Sequence, residues 1–570
     1  MKNMKNKDLK KQVRVALLSN FNIKSLGDRL TAEAPKNDIV VSIYEGQYGQ
    51  WKQELLGESL YEFNPDIIFI LTDDFGLDNE ISFEYHIKSE REVEDRVNVY
   101  MNEVYGLLVA AKKKTSAKII FGNIPNCAPK ILGIIENKYG FSLSKRIKEA
   151  NLKLEEKYAN DKQVLIFDFD GWLGQIGKNN FWYDKYYFLG DLRLNPKAFP
   201  QLANELASYL IPLSAKTKKC LVLDLDNTLW GGIIGEDGIG GIVLAPNGKG
   251  QAFYLFQKLI LAFHKKGVIL AINSKNNEAD AMKVLREHPH MILKEEHFAS
   301  IKINWNDKAS NMKVIAEEIN IGADSLVFVD DDATNRELIK TLMPEVVVLE
   351  IPKEPENFYK TLSEYKGFNS FEFTAEDLDR GKTYFAEKKR RDLKSQIVDI
   401  DSFLESLELK LRIRPVNKET LSRVSQMTQK TNQFNLTTRR YAEEDLAKML
   451  KNGVKMWALE VEDRFGRYGV TGLAILNKDK IWTIDSFLLS CRILGKKIEF
   501  DFLAYILEEI KKKDPKGIVR GEYIATAKND QVKDFYPKTG FLPVKKEKNI
   551  WEMELGKFKY KKSCFIKVLK

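Results

Sequence analysis

Residues 220–230 read CLVLDLDNTLW: four residues of a very apolar strand run straight into Asp224, Asp226 and Thr228. A run that is apolar on both faces suits the interior of a parallel sheet, and open α/β sheets bind ligands just beyond the carboxyl ends of their strands. Two carboxylates projecting there suit a nucleophile with an acid/base partner. Asp224 is placed to attack phosphorus and form an aspartyl-phosphate, and Asp226 to protonate the leaving oxygen and then activate water. Thr228 assists the turn. An acidic pair at a strand end is equally an ordinary helix cap, so the surrounding sequence has to decide.

Three further elements decide it. The strand VILAINS (268–274) ends in Ser274, whose hydroxyl and adjoining amides suit a phosphoryl oxygen. Lys308, in INWNDKASNMK, supplies a fixed positive charge for the phosphoryl group. SLVFVDDD (325–332) ends in Asp330 and Asp331, hard oxygen ligands that suit Mg²⁺. With Asp224 and Asp226 they make the expected metal set, and Thr228, Ser274 and Lys308 the expected phosphate-binding set.

On the amino-terminal side, VRVALLS, DIVVSIYEG, PDIIFILTD, AKIIFGN and QVLIFDFD alternate with helix-length stretches, the pattern of βαβ units over residues 11–212. Pro212, Ser214 and a Lys-rich turn separate this domain from the strand at 220. The central α/β domain is read as 217–370, and the charged segment 371–406 as a helical linker. Residues 407–556 alternate strands around one long helix, IEFDFLAYILEEIKKK, which predicts a third, α+β domain.

A chain of 570 residues with 44% hydrophobic and 30% charged residues is long enough for about three domains and excludes whole-chain disorder. The net charge of +9 is an end effect: residues 1–14 carry +5 and residues 556–570 carry +6, which leaves the body at −2. Two solvated basic tails are expected, with neither nucleic acid nor membrane as partner. Cys127, Cys220, Cys491 and Cys564 have no short paired spacing, which fits a reducing cytosol and excludes a CxxC zinc or redox site.

DLDNTLW, INS, the Lys308 segment and VFVDDD resemble the four motifs of the haloacid dehalogenase (HAD) phosphatases. The resemblance implies Asp224 as nucleophile, Asp226 as general acid/base, Ser274 and Lys308 as phosphate holders, and Mg²⁺ beside Asp330 and Asp331. With the flanks DLDNTLWGGIIGEDG, NSKNN, VDDDATNRE, QKTNQFNLTTRRY and LLSCRILGK, the chain resembles the FkbH-like subgroup of HAD proteins. Members of that subgroup are associated with taking a glyceryl unit from 1,3-bisphosphoglycerate, removing its phosphate and loading it on an acyl carrier protein for polyketide and related pathways. Asn273 stands where that subgroup is expected to have Cys, Asp307 where Pro is usual, and Asp332 where Asn is usual. The two added acids are expected to weaken anion binding.

The same resemblance implies an SGNH-hydrolase-like amino-terminal domain and a GNAT-like acyltransferase domain at 407–556. The first is degenerate. Ser19-Asn20 replaces a Gly-Asp-Ser block and Asp191-Leu-Arg-Leu an Asp-x-x-His block, and the nearest His, His86, is far off in sequence. In the third domain, Cys491 to Lys497 before a helix resembles a pyrophosphate loop for coenzyme A or a carrier's phosphopantetheine arm. Cys491 is the thiolate candidate for holding an acyl group, since Arg492 and two Lys flank it. Arg439 and Arg440 are expected to grip phosphate or carboxylate. The sequence thus predicts a cytosolic, Mg²⁺-dependent phosphatase and acyltransferase. The alternative is a phosphatase of sugar phosphates or other small phosphorylated metabolites without acyl transfer.

Overall fold

The computed structural model describes residues 11–37, 39–74, 79–127, 130–180, 184–214, 217–372, 386, 390, 393, 399–526, 528–545, 547–560 and 563–569. The chain divides into two compact units: Met1–Lys218 with Tyr365–Phe373, and Lys219–Glu364 with Thr374–Lys570.

The first unit is built on a parallel sheet of β1 (Lys11–Ser19), β2 (Ile39–Glu45), β3 (Ile67–Leu71), β4 (Lys118–Gly122) and β5 (Val164–Phe167), in the order β2-β1-β3-β4-β5. β3 is buried along its whole length, as expected where helices cover both faces. One such helix, α1 (Glu90–Lys114), starts on Ser89, whose side chain accepts from the Glu92 amide. It ends on Lys112, Lys113 and Lys114, opposite in sign to the helix carboxyl end.

The second unit holds two sheets. The first contains β6 (Cys220–Leu223), β7 (Ile269–Ser274), β8 (Phe298–Ile303), β9 (Leu326–Val329) and β10 (Val347–Val348), all parallel, in the order β10-β9-β6-β7-β8. β6 is thus central, and its register sets Leu223 beside Ile272 on one side and Val329 on the other. The residues that follow β6 and β9 therefore emerge side by side at one sheet edge.

The third sheet contains β11 (Leu409–Pro415), β12 (Phe434–Asn435), β13 (Lys455–Asp463), β14 (Gly466–Lys478), β15 (Trp482–Leu489), β16 (Ile518–Glu522), β17 (Leu542–Pro543), β18 (Ile550–Glu554) and β19 (Ile566–Leu569). Its order is β17-β18-β16-β15-β14-β13-β11-β19, with β12 paired to β15. In β11 the buried Leu409, Leu411 and Ile413 alternate with less buried residues, the period-2 signature of a strand with one face on a core. The mixed α/β class read from the sequence is the class observed.

Two sequence expectations change. Residues 365–373, of which 365–370 were read as the end of the central domain and 371–373 as linker, belong to the first unit: Lys218 N–H donates to the Gly367 carbonyl and Lys366 Nζ lies 3.3 Å from Glu205. The basic carboxyl-terminal segment is not a solvated tail, because β19 pairs in parallel with β11. Ser563, just before it, donates to Asp501 Oδ2 at 2.6 Å. Most of the linker lies outside the described residues. Within it, however, Arg390 makes a buried two-pronged ion pair with Asp463 (Nε–Oδ2 2.6 Å, Nη2–Oδ1 2.7 Å). Leu393 packs on the core of the third sheet.

Candidate active site

Asp224 and Asp330 follow the central strands β6 and β9, and the Asp224 amide donates to the Val329 carbonyl at 3.0 Å, which holds the two exits together. Oxygens of Asp224, Asp330 and Asp331 lie within 4.8 Å of one another. Lys308 is almost fully buried between them, its Nζ 2.8 Å from Asp224 Oδ1 and 2.5 Å from Asp330 Oδ2.

Lys308 reaches this point from the first residue of helix α2 (Lys308–Ile319). The helix start is fixed twice. Asp307 caps it by accepting from the Ser310 amide at 2.8 Å, and Asn273, fully buried at the end of β7, donates to the Lys308 carbonyl at 2.9 Å. Asn311 in turn donates to Asn273 Oδ1 at 3.2 Å.

Burial alone would lower the Lys308 pKa, but Asp224 and Asp330 outweigh it and the ammonium is held above its ordinary value. Burial and the Asp224 charge push Asp330 up against the opposing pull of Lys308. Asp331 is pushed up to about 6, by burial first and then by Asp224 and Asp330. Three carboxylates share one ammonium, so the fully ionised cluster is two charges short of neutral. Such a set of hard oxygen donors fits a divalent cation.

The structure brings Asp224, Thr228, Lys308, Asp330 and Asp331 together. Thr228 Oγ1 lies 3.3 Å from Asp331 Oδ1 and accepts from the Asp331 amide at 3.2 Å, so it ties β6's exit to β9's as well as shaping a turn. Ser274 closes β7, the strand adjacent to β6, and its Oγ accepts from Asn276 at 3.1 Å.

Asp226 is a correction. Its side chain is not in the carboxylate cluster, because Oδ1 accepts from the Trp230 indole at 2.9 Å and from the Ile234 amide at 3.1 Å. The two unusual acids each have a structural partner. Asp307 caps α2, and Asp332 caps α3 (Ala333–Leu342) by accepting from the Thr334 amide. Both charges serve helix amino-termini, where a negative charge is stabilising.

Arg439 and Arg440 lie in the third sheet's domain with partners of their own. Arg439 donates to the Asp485 carbonyl and carboxylate and, at 2.7 Å, to Glu522. Arg440 donates to the Thr428 carbonyl and to Asn432. Their guanidinium groups are therefore engaged in holding the segment they belong to. The side chain of Cys491 lies outside the described residues.

The loop expected to bind pyrophosphate leads into helix α4 (Ile498–Lys513), with Lys497 in the left-handed conformation at φ 59°. The first turn of α4 carries Glu499 and Asp501, acids that disfavour a phosphate at that helix start. In the first unit, the buried Leu194 stands where the catalytic His is expected, and Arg193 before it lies 2.5 Å from Asp191 and 3.5 Å from Asp73. Ser19 Oγ accepts from the Phe21 amide.

Sequence reasoning missed the residues that buttress Asp330. Arg336 Nη1 donates to the carbonyls of Asp330 and Asp331, both at 2.8 Å, and Asn335 Nδ2 lies 3.3 Å from Asp330 Oδ1. The signal was available in VDDDATNRE, where both side chains sit one helical turn beyond the acids.

Residues 14–210 match the family model described as the FkbH N-terminal domain. This support comes from a part of the chain other than the motifs that carried the resemblance. A solved structure of the N-terminal part of the protein BF1531 from Bacteroides fragilis, containing a phosphatase domain complexed with Mg, is 26% identical. It covers 64% of this chain and 95% of its own, with a TM-score of 0.58. Two acetyltransferase structures, a GNAT-family enzyme from Staphylococcus aureus MU50 and the ribosomal-protein-S18-alanine N-acetyltransferase from Escherichia coli, are each 12% identical with TM-scores of 0.21. They cover 25% and 26% of this chain and 99% and 96% of their own. No curated protein matches the chain. Among the described residues no helix is long and apolar enough to cross a membrane.

Proposed function

We propose that this chain, with an FkbH N-terminal domain ahead of its carboxylate site, is a HAD-type, Mg²⁺-dependent phosphatase. The observation that carries the reading is the buried cluster of Asp224, Asp330 and Asp331 around Lys308. Asp224, Asp330 and Asp331 would hold the Mg²⁺. When bound, the ion supplies charge neutralisation for the phosphoryl oxygens.

The chain's own residues do the rest. A carboxylate oxygen of Asp224 attacks phosphorus, forming the aspartyl-phosphate as the bond to the leaving oxygen breaks. Asp226, oriented through Oδ1 by Trp230 and Ile234, delivers a proton to that oxygen. Asp226 then takes a proton from the water that hydrolyses the acyl phosphate, releasing inorganic phosphate and restoring Asp224. Lys308 steadies the phosphoryl charge throughout, and Ser274 holds one of its oxygens.

The finer reading is that the substrate is a phosphoglyceryl unit derived from 1,3-bisphosphoglycerate, delivered to the phosphopantetheine thiol of an acyl carrier protein in the cytosol. The thiol attacks the carboxyl carbon, the bond to the 1-phosphate breaks as the thioester forms, and the Asp224 site hydrolyses the remaining 3-phosphate ester. One observation favours a second reading, a phosphatase of sugar phosphates or other small phosphorylated metabolites. Position 273, where the subgroup is expected to place Cys, holds an Asn whose side chain is spent on fixing Lys308 and Asn311.

One measurement tests the site that both readings share, and a second separates them. Asp224→Asn abolishes phosphate release with the fold retained, and retained release refutes the site. Intact-mass analysis of holo carrier proteins incubated with enzyme, Mg²⁺ and 1,3-bisphosphoglycerate shows a glyceryl mass on the first reading. Free phosphate with every carrier unmodified supports the second.

A further inference from the structure

β15 and β16 are parallel but pair over only three residues each, Trp482 to Ile484 against Val519 to Gly521. Beyond Ile484 the two strands part, while β15 continues to Leu489. A fork of this kind presents unpaired backbone N–H and C=O groups along both inner edges, and an extended ligand bearing amides is the chemistry that satisfies them. The phosphopantetheine arm, with its two amides, is such a ligand.

In this chain the fork already has an occupant. β12 lies antiparallel along β15, Phe434 opposite Leu489 and Asn435 opposite Leu488. Leu436 then bridges both sides: its amide donates to the Phe487 carbonyl at 3.2 Å and its carbonyl accepts from the Ile524 amide at 2.8 Å. Thr437 Oγ1 donates to the Asp485 carbonyl at 2.8 Å. Asn529, fully buried, donates at 2.9 Å to the carbonyls of both Asn435 and Ile524. At the mouth, Arg439 joins the two strands by donating to Asp485 of β15 and Glu522 of β16.

We infer that residues 434–439 are a permanent resident of this fork, which closes it to coenzyme A and to a carrier protein's phosphopantetheine arm. The polar TNQFNLTTRR segment is thereby explained as part of the domain's own sheet, through β12 and the contacts that follow it, rather than as a grip for phosphate or carboxylate. The segment uses more hydrogen bonds than the arm's two amides offer, and Phe434 and Leu436 are buried in the sheet's core, so the arm has no means of displacing it. Any thioester chemistry must then take place outside this fork. The inference concerns a different sheet from the phosphoryl site, so phosphate release measured on the same sample separates its failure from a failure of the phosphatase reading.

Hydrogen–deuterium exchange on the full chain tests it, with coenzyme A at millimolar concentration as the pantetheine probe. The expected result is that amides at 434–437 exchange as slowly as those of β14, with or without the probe. Faster exchange at 434–437 on adding coenzyme A would overturn the inference by showing a displaceable gate. Asn529→Ala is expected to raise exchange there at least tenfold while β14 stays protected, and an unchanged rate also counts against the inference. Should that variant fail to fold, Arg439→Met carries the same comparison.

Discussion

Replacing Lys308 by Met removes the only ammonium in a cluster of three carboxylates while keeping a side chain of similar length. At an effective dielectric of about 20, unit charges at the observed 2.8 and 2.5 Å attract by about 6 and 7 kcal/mol. Desolvation of the buried groups takes back most of that, and breaking such a pair typically costs about 3–5 kcal/mol. The loss has a pH signature. Without Lys308 the carboxylates keep their protons to higher pH in the folded state, so the folded variant binds more protons than the unfolded chain. Its stability therefore falls as pH rises from about 5 to 8, more steeply than that of the unaltered protein. Turnover falls as well, by about 100- to 1,000-fold, the usual loss on removing one donor to a developing oxyanion. Urea unfolding of the metal-free protein at pH 5.5 and pH 8 reads the first effect, and phosphate release from p-nitrophenyl phosphate with Mg²⁺ reads the second. A variant with an unchanged urea midpoint at pH 8 and turnover within tenfold would refute the assignment of Lys308 as the cluster's counter-charge.

Other expectations follow from single contacts. Because Asp331 is pushed up to about 6 and must be ionised to hold a metal, Mg²⁺ affinity measured by calorimetry weakens as pH falls through that value, approaching about tenfold per unit below it. Arg390→Met leaves the buried Asp463 carboxylate without its cation and lowers stability by about 3–5 kcal/mol, read as an earlier thermal transition in tryptophan fluorescence. Asp307→Ala removes the cap of α2 and costs about 1 kcal/mol by denaturant titration, whereas Asp307→Asn, an equally good cap, leaves stability unchanged.

The central sheet was legible because its strands are short apolar runs that end in acids, and a parallel sheet aligns such ends on one edge. Asp224, Asp330 and Asp331 were found for that reason, and Lys308 by its place in chain order between the strand ending in Ser274 and the one ending in Asp330. The orientation of Asp226 was not legible, since it depends on Trp230 and Ile234 folding back onto it, and strand pattern says nothing of such a turn. The partners of Arg439 and Arg440 were not legible because an arginine in a polar segment looks the same whether it faces a ligand, clamps two strands as Arg439 does, or holds a helix end as Arg440 does. The capping by Asp307 and Asp332 was not read from the sequence. Proximity in sequence to a phosphate-binding Lys suggested electrostatic interference, while one helix turn of geometry makes them caps. The strand at 566–569 was hidden by Lys567 and the lysines before it, since an edge strand tolerates exposed Lys as readily as a tail does.

The return of Tyr365–Phe373 to the first unit makes that unit discontinuous in sequence, with the whole phosphoryl site written between its two pieces. During synthesis, the five strands of the first sheet emerge early, but the segment whose Gly367 receives the Lys218 amide follows only after the entire central sheet has left the ribosome. The first unit is therefore completed in the wake of its neighbour's folding. A cut placed at 218 would sever a finished-looking domain from its last piece.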